Sequence, residues 1–518
     1  MSTKLDGKSN GFGCLCARGV LVLTLLFMAF LLPMSLIRTT GMSTGGVGGE
    51  IVTFNYDNFF LNIIVLVICT ATVYILRRIL SGVPAARVTA VMALWLASLG
   101  ILFALSAKLQ PAEDSYAITF FARQAAKGDL SYYNDYFKNF PYQLGFALYE
   151  ELFFRAFARV LPNAPEGFSS LALQALNAIF LALGCVCMVR CAHYIFKNED
   201  VERITAVLFM FFLPGILFST YMYGFIPGFA ASSAGMLAFL RFTERSKIID
   251  GVLCAAFLAL AVILKLNCMV FFISIMIIWL LTLIKKPSVK SVLLLLFTAG
   301  LVLSCQSMPQ RIYERRMEIS FGDGVPQVCW MAMGVSEGKS CSGWYDRVYT
   351  TDLYAAENFD RAATSEKARE VISARVEYFK SAPREGQRFF SRKLLSQWNE
   401  PTYQGLWTNQ VRKSYSESGT VHRLICQTFA RRLTQLMNYY QQLIFFGFTL
   451  GLLLLLRRGD VKAALLPLVI LGGLIYHLFF EAKSQYALVY VMLMVPVAAY
   501  GFIRLSRFFA RRSDGNAK

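Results

Sequence analysis

The chain reads as a succession of apolar blocks, each of roughly 20 residues, separated by short polar or basic joints. That is the length an α-helix needs to cross about 30 Å of hydrocarbon. Runs at about 18–37 and 59–76 form a first pair, joined by a Gly-rich loop from Gly41 to Gly49, and a third covers about 89–107. Further runs lie near 168–192, 203–221 and 226–241. The block from Ile248 to Ile284 is too long for one helix, and Lys265-Leu266-Asn267 divides it into a hairpin of two. Another run follows near 290–305, and three close the chain near 436–456, 461–479 and 484–505. The pattern predicts an α-helical polytopic membrane protein with about 12 transmembrane helices.

Three regions follow from this count. Residues 1–305 form an N-terminal transmembrane region, with a first outer loop at about 108–165. Residues 306–430 are polar, have no run long enough to cross, and form a mixed, mainly helical extracytoplasmic domain. Residues 431–518 carry the C-terminal transmembrane helices. Within the first outer loop, Tyr142 to Val160 is amphipathic but too charged to span, so it is expected to lie along the interface with Glu150 and Glu151 on its polar face. In the outer domain, Thr364 to Phe379 has helical spacing with Thr364 as its cap, and Pro383 opens a second helical piece toward Trp398. No internal repeat suggests a two-fold transporter architecture.

The net charge of +19 raises the question of nucleic acid, but the basic residues sit where membrane topology wants them. Arg77-Arg78, Arg241/Arg245/Lys247, Lys285-Lys286, Arg457-Arg458 and Arg504/Arg507/Arg511/Arg512 all follow apolar runs, as cytoplasmic joints do. No basic stretch interleaved with aromatics lies elsewhere, so no nucleic-acid partner is expected. Lys4, Lys8 and Arg18 place the N-terminus in the cytoplasm, and the parity of spans returns the C-terminus there. The first run lacks a small-residue cleavage site and reads as a retained helix. A hydrophobic fraction of 56%, with 44 Phe and 24 Tyr, agrees with a multi-pass plasma-membrane protein. The outer segments contain no N-x-S/T sequon, which favours a bacterial plasma membrane.

Twelve cysteines are scattered, and no zinc-type spacing occurs; three His in the chain argue against a His-built metal site. Cys329 and Cys341 both fall in the outer domain, where a disulfide between them can persist. Asp129, with Asp135, is a candidate ligand for a divalent cation (Mg or Mn), beside the plainer reading of a solvated acid.

The segment after the third run is the most informative. It reads Gln110-Pro111-Ala112-Glu113-Asp114-Ser115-Tyr116, then Gly128-Asp129, then Phe140-Pro141-Tyr142-Gln143-Leu144-Gly145. A carboxylate just outside a span can accept the proton of a hydroxyl attacking a membrane-embedded donor; it can equally be a solvated acid or a helix cap. This pattern resembles the first outer loop of bacterial multispanning glycosyltransferases of the GT-C superfamily, relatives of protein mannosyltransferases and aminoarabinose transferases. The resemblance extends to Gln397-Trp398-Asn399-Glu400-Pro401-Thr402 and to Phe480-Glu481-Ala482-Lys483-Ser484-Gln485-Tyr486. The extra pair of spans ahead of the acidic loop departs from the simplest members and leaves the N-terminal hairpin without an assigned role.

The resemblance implies Asp114 as catalytic base, with Glu113 as the weaker neighbour. It implies a polyprenyl-phosphate-linked sugar as donor, and a cell-envelope glycan, glycolipid or protein as acceptor. A leaving lipid phosphate calls for cations. Lys483 and Lys265 stand at outer helix ends in apolar surroundings, where snorkelling to headgroups is the alternative. Arg392 and Lys393 are further candidates for the phosphate. Glu113, Glu481, Tyr486 and Trp398 are candidates for acceptor or sugar. Two other classes remain in play. A transporter or flippase would want ionisable residues at mid-membrane, and a polysaccharide polymerase or ligase would lean on outer-loop arginines.

Overall fold

The computed structural model describes residues 11–45, 49–165 and 167–515. Lys4 and Lys8, part of the Gly41–Gly49 loop, and the side chains of Arg507, Arg511 and Arg512 lie outside what is described. Helix α1 (Gly11–Ile37) runs into an antiparallel hairpin, β1 (Arg38–Gly45) and β2 (Gly49–Tyr56), and then into α2 (Phe59–Ile79) and α3 (Ala85–Ala107). The segment between α3 and the next long helix holds α4 (Glu113–Lys127), α5 (Asn134–Asn139) and α6 (Leu144–Val160). Next come α7 (Phe168–Phe196), α8 (Glu199–Met210), α9 (Leu213–Phe218), α10 (Phe225–Arg245), α11 (Ile248–Leu264), α12 (Met269–Lys285) and α13 (Val289–Gln306). The polar region contains α14 (Met308–Met317), α15 (Gln327–Gly334), α16 (Thr351–Ala356), α17 (Arg361–Ser381), α18 (Pro383–Trp398), α19 (Gly405–Val411) and α20 (Thr420–Arg423). Helices α21 (Ala430–Arg458), α22 (Leu465–Phe479) and α23 (Ser484–Gly515) close the chain.

The protein is a polytopic helical membrane protein. Among the described residues, ten helices are long and apolar enough to cross a bilayer. The other two of the expected twelve runs fall short of that standard for separate reasons. Helix α11 is apolar but spans only 17 residues. The run near 203–221 divides into α8 and α9 at Phe211-Phe212, just ahead of Pro214, whose ring cannot continue a helix; Glu199, Asp200 and Glu202 also fill the first turn of α8. The bundle is built around α23, whose most apolar window is 94% buried, whereas α2 is 17% buried and peripheral. In lipid, helices associate by close backbone approach more than by hydrophobic burial. Gly447 and Gly451 of α21 provide this approach against α23: a Cβ at Gly451 would lie 2.3 Å from the Val497 carbonyl oxygen.

Alternation of helix direction gathers the described residues of segments 38–58, 108–167, 219–224, 265–268, 307–429 and 480–483 on one face. The joints carrying the basic clusters fall on the other, where Arg77 pairs with Asp200 (3.2 Å) and Lys197 with Glu244 (3.3 Å).

Several local expectations are corrected. Helix α17 starts three residues before Thr364, because Asp360 accepts from the Ala362 and Ala363 amides as N-cap (2.7 and 3.2 Å). Glu150 and Glu151 are not on a solvated face: both are buried against neighbouring helices. Glu151 takes Arg316 on both oxygens (2.9 Å each), Tyr313 (2.6 Å) and Arg155 (2.9 Å), which docks α6 on α14. Cys329 and Cys341 are both buried with free thiols, so the expected disulfide does not form. Cys329 packs with Ala332, Tyr354 and Ala368, a cluster that does not include Cys341.

Candidate active site

Five loops and the hairpin meet at the mouth of the bundle. The chain leaves α3 through Lys108, and 108–110 pairs with 413–415: the Gln110 amide donates to the Lys413 carbonyl, and the Tyr415 amide to that of Lys108 (2.8 Å each). Helix α4 begins directly afterwards, with Asp114 as its second residue, half-buried. Glu113 before it is exposed and holds φ +51°, a left-handed conformation that costs a non-glycine residue about 1–3 kcal/mol.

Asp114 Oδ2 accepts a hydrogen bond from the Tyr223 hydroxyl (2.7 Å), which in turn accepts one from Gln143 Nε2 (2.8 Å). Two glycines make this relay reachable. A Cβ at Gly145 would sit 2.0 Å from the Ile263 carbonyl oxygen, so only glycine lets the start of α6 rest on the end of α11. Gly224 holds φ +81°, and a Cβ there would sit 2.4 Å from the Leu264 carbonyl oxygen. The loops bearing Gln143 and Tyr223 are thereby pressed against Lys265.

Lys265 is buried at the end of α11, with its ammonium 3.4 Å from the centroid of the Tyr223 ring and 4.6 Å from that of Phe225. Burial pulls it down to about 7, opposed by the charges of Asp114 and Glu481. Among the described residues no carboxylate lies within ion-pair distance of it.

Lys483 stands between α22 and α23 with Trp344 and Tyr345 beside it, each ring 5.9 Å away. Its ammonium meets both oxygens of Glu50 (2.9 and 3.0 Å), and Gln404 Nε2 also donates to Glu50 (3.0 Å). Burial alone would lower Lys483, but Glu50 and Glu481 hold it above its ordinary value. Glu481 is raised by burial, against the pull of Lys483 and of the Tyr486 hydroxyl, which donates to it (2.8 Å). Asp114 acts electrostatically on Lys265, Lys483 and Glu481 alike. Asp114, Lys265, Lys483, Glu481 and Tyr486 therefore share one neighbourhood.

Glu400 fixes that neighbourhood. Its carboxylate, fully buried, accepts from the Thr402 amide (2.9 Å) and hydroxyl (2.6 Å), the Gln404 amide (2.6 Å) and the Ser484 hydroxyl (2.9 Å). It thus ties the 399–404 loop to the residue next to Lys483. Arg412, also buried, binds the Thr220 carbonyl (2.9 Å) and hydroxyl (2.5 Å), anchoring the loop that carries Tyr221 and Tyr223. Sequence reasoning gave a role to neither residue, nor to Glu50, Gln143 and Tyr223. Gln143 and Glu400 stood inside quoted motifs, but nothing in their spacing says what they touch.

The remaining sequence candidates lie elsewhere. Lys393 is buried, and its ammonium donates to the Gly334, Leu478 (3.0 Å) and Phe480 (2.8 Å) carbonyls, so its donors are spent on holding the 480–483 loop. Arg392 is exposed on α18. Trp398 is packed in the core between Phe27 and Tyr490 (ring centroids 5.1 and 5.6 Å) and has no exposed face for a sugar. Asp129 is exposed and accepts from the Ser131 amide and hydroxyl. Among the described residues no three His, Cys, Asp or Glu side chains gather to hold a metal.

Fold and site together define a polytopic helical membrane protein with a carboxylate and two lysines converging at one mouth of the bundle. No protein-family model and no curated protein matches the sequence. Among solved structures, the chain is similar to the archaeal oligosaccharyltransferase AglB of Archaeoglobus fulgidus, solved with an inhibitory peptide and a dolichol-phosphate. The identity is 11% and the TM-score 0.44, over 84% of this chain and 52% of that one. The chain thus spans about half the length of that protein.

Proposed function

We propose that this chain is an inverting glycosyltransferase that moves a sugar from a polyprenyl-phosphate carrier to an acceptor hydroxyl at the outer face of a bacterial plasma membrane. One observation carries the reading: Asp114 and Lys265 both meet Tyr223, and Phe225 beside Lys265 packs on Tyr486, which bonds Glu481 two residues before Lys483. An acid and two lysines at one mouth of the bundle match what the reaction needs, a base for the hydroxyl and ammonium groups for the leaving phosphate.

In this mechanism Tyr223 holds Asp114 Oδ2, and the other oxygen, Oδ1, accepts the proton of the acceptor hydroxyl. The hydroxyl oxygen forms its bond to the anomeric carbon as the bond from that carbon to the phosphate oxygen breaks on the opposite face. The electron pair leaves with the lipid phosphate, where Lys265 and Lys483 meet the developing charge. Glu481 and Tyr486, linked to each other, face the same space and are assigned to the acceptor or sugar. No step is routed through a metal.

The test supplies the purified chain with a polyprenyl-phospho-sugar and a hydroxyl-bearing acceptor, and follows lipid phosphate release together with the anomeric configuration of the glycosylated acceptor. Release with inverted configuration is expected. Retained configuration would sink the mechanism, and movement of the intact lipid across the bilayer without transfer would favour a flippase.

A further inference from the structure

The hairpin β1–β2 had no role in the sequence, yet it ends in the site. Its base is tied down: the Thr40 amide donates to the Asn399 carbonyl (3.1 Å), Asn399 Nδ2 to the Arg38 carbonyl (2.7 Å), and Asn438 Nδ2 to Thr39 and Asp57 (2.6 and 3.0 Å). Its far half is not. Among the described residues, Glu50 alone makes polar contacts from that half to the rest of the protein, to Lys483 and Gln404. Glu50 stands one pair from the end of the ladder, opposite Thr44, with the Gly45↔Gly49 pair beyond it. Both partners of the Glu50–Lys483 pair are largely buried, at 18% and 15% exposure.

The pair poses a conflict of charge. A phosphate on Lys483 would put two anions on one ammonium, in surroundings where little water remains to separate them, and the repulsion there is strong. Glu50 and the phosphate therefore exclude each other. We propose that Glu50 is an intramolecular stand-in for the donor phosphate: its carboxylate holds Lys483 charged and aimed while the site is empty, and β2 yields Lys483 when the polyprenyl-phosphate donor arrives. This rests on the reading of Lys483 as a phosphate ligand. It gives the hairpin its role, since donor binding and Glu50 pairing become competing states of one lysine.

The test measures binding of sugar-free polyprenyl phosphate to the purified full chain and to Glu50→Gln, Glu50→Asp, Lys483→Met and the Glu50→Gln/Lys483→Met double variant, with thermal melting to confirm folding. Glu50→Gln should bind roughly 5- to 150-fold more tightly. Glu50→Asp, one methylene shorter, should fall between it and the native chain. The gain should vanish in the double variant. Unchanged or weaker binding by both Glu50 variants, while Lys483→Met loses binding, would overturn the stand-in role and leave the donor reading intact. Binding by Lys483→Met as tight as native would overturn both.

A separate groove of about 750 Å³ runs along the peripheral helix α2, lined by Ile63, Leu66 and Tyr74 with Phe446 of α21 and Phe502 of α23. It closes at the face opposite the site on Arg77 and Arg78. Arg77 is engaged by Asp200 and Ser506, whereas the Arg78 guanidinium lies on the Tyr74 ring (4.7 Å), exposed and without a carboxylate partner among the described residues. An apolar groove ending at Arg78 matches an anionic phospholipid, chain in the groove and phosphate on that guanidinium. We infer that it is a site for that lipid. Phosphatidylglycerol should raise the melting temperature of the full chain in detergent, phosphatidylcholine should not, and Arg78→Gln should abolish the difference. Equal stabilisation by both lipids, or an unaltered preference in Arg78→Gln, would overturn it.

Discussion

Glu400→Gln probes how the site is held rather than what it does. The native carboxylate receives four donors, two on each oxygen: the Thr402 amide and hydroxyl on one, the Gln404 amide and Ser484 hydroxyl on the other. Gln replaces one of these oxygens with an NH2 group, so two donors lose their acceptor and face another donor. Two lost hydrogen bonds to a charged group, at about 1.5–3 kcal/mol each, are partly offset because Gln leaves no charge buried. The net loss should be about 2–4 kcal/mol. The Ser484 link stands beside Lys483, so we expect the donor KM to rise about tenfold or more, the equivalent of about 1.4 kcal/mol. Ser484→Ala cuts that link alone and should cost about 1 kcal/mol. Thermal unfolding of the purified protein and donor titrations on both single variants and the double variant separate the terms, with coupling of about 0.5–3 kcal/mol expected. Native melting and an unchanged donor KM in Glu400→Gln would refute the claim that this carboxylate positions Lys483.

Three further outcomes follow from the geometry. Tyr223→Phe keeps the ring beneath Lys265 but removes the hydroxyl on Asp114; kcat should fall about 10- to 100-fold, the worth of one hydrogen bond to a charged group, and kcat equal to native would count against the relay. Glu150 is buried on α6, and burial raises its carboxyl from 4.5 to about 8, against Thr119 and Arg123. The folded state then holds a proton that the unfolded chain releases, so the penalty is absent below about pH 4.5 and grows as pH rises to about 8, reaching roughly 5 kcal/mol. Glu150→Gln should flatten that decline in melting profiles between pH 5 and 8, and an unaltered slope would contradict the assignment. Lys393→Met strands the Gly334, Leu478 and Phe480 carbonyls, and a loss of about 3 kcal/mol or more is expected in thermal unfolding; native stability would show that the ammonium does not anchor the 480–483 loop.

The membrane architecture was legible because lipid imposes it: a helix must satisfy its own backbone, and its length is set by the bilayer. The same logic missed the break between α8 and α9, where Pro214 and the acids of the first turn divide a run whose mean hydropathy looked continuous. Periodicity on α6 identified the side on which Glu150 and Glu151 sit, but not that α4 and α14 cover it. Asp114, Lys265 and Lys483 stood out as charges at the ends of apolar runs. Glu50 did not, since nothing local marks a carboxylate whose partner lies 433 positions away. Trp398 failed for a related reason: an aromatic in a polar stretch reads as interfacial, and only tertiary packing against Phe27 and Tyr490 makes it core.

In the proposed mechanism Asp114 removes the acceptor proton. Asp114→Asn keeps the side-chain shape and its bond to Tyr223 while abolishing the base. With polyprenyl-phospho-sugar and acceptor supplied to the purified protein, transfer should fall by about 10²–10⁴-fold, while polyprenyl phosphate still binds through Lys265 and Lys483. Transfer at the native rate by Asp114→Asn would contradict the account.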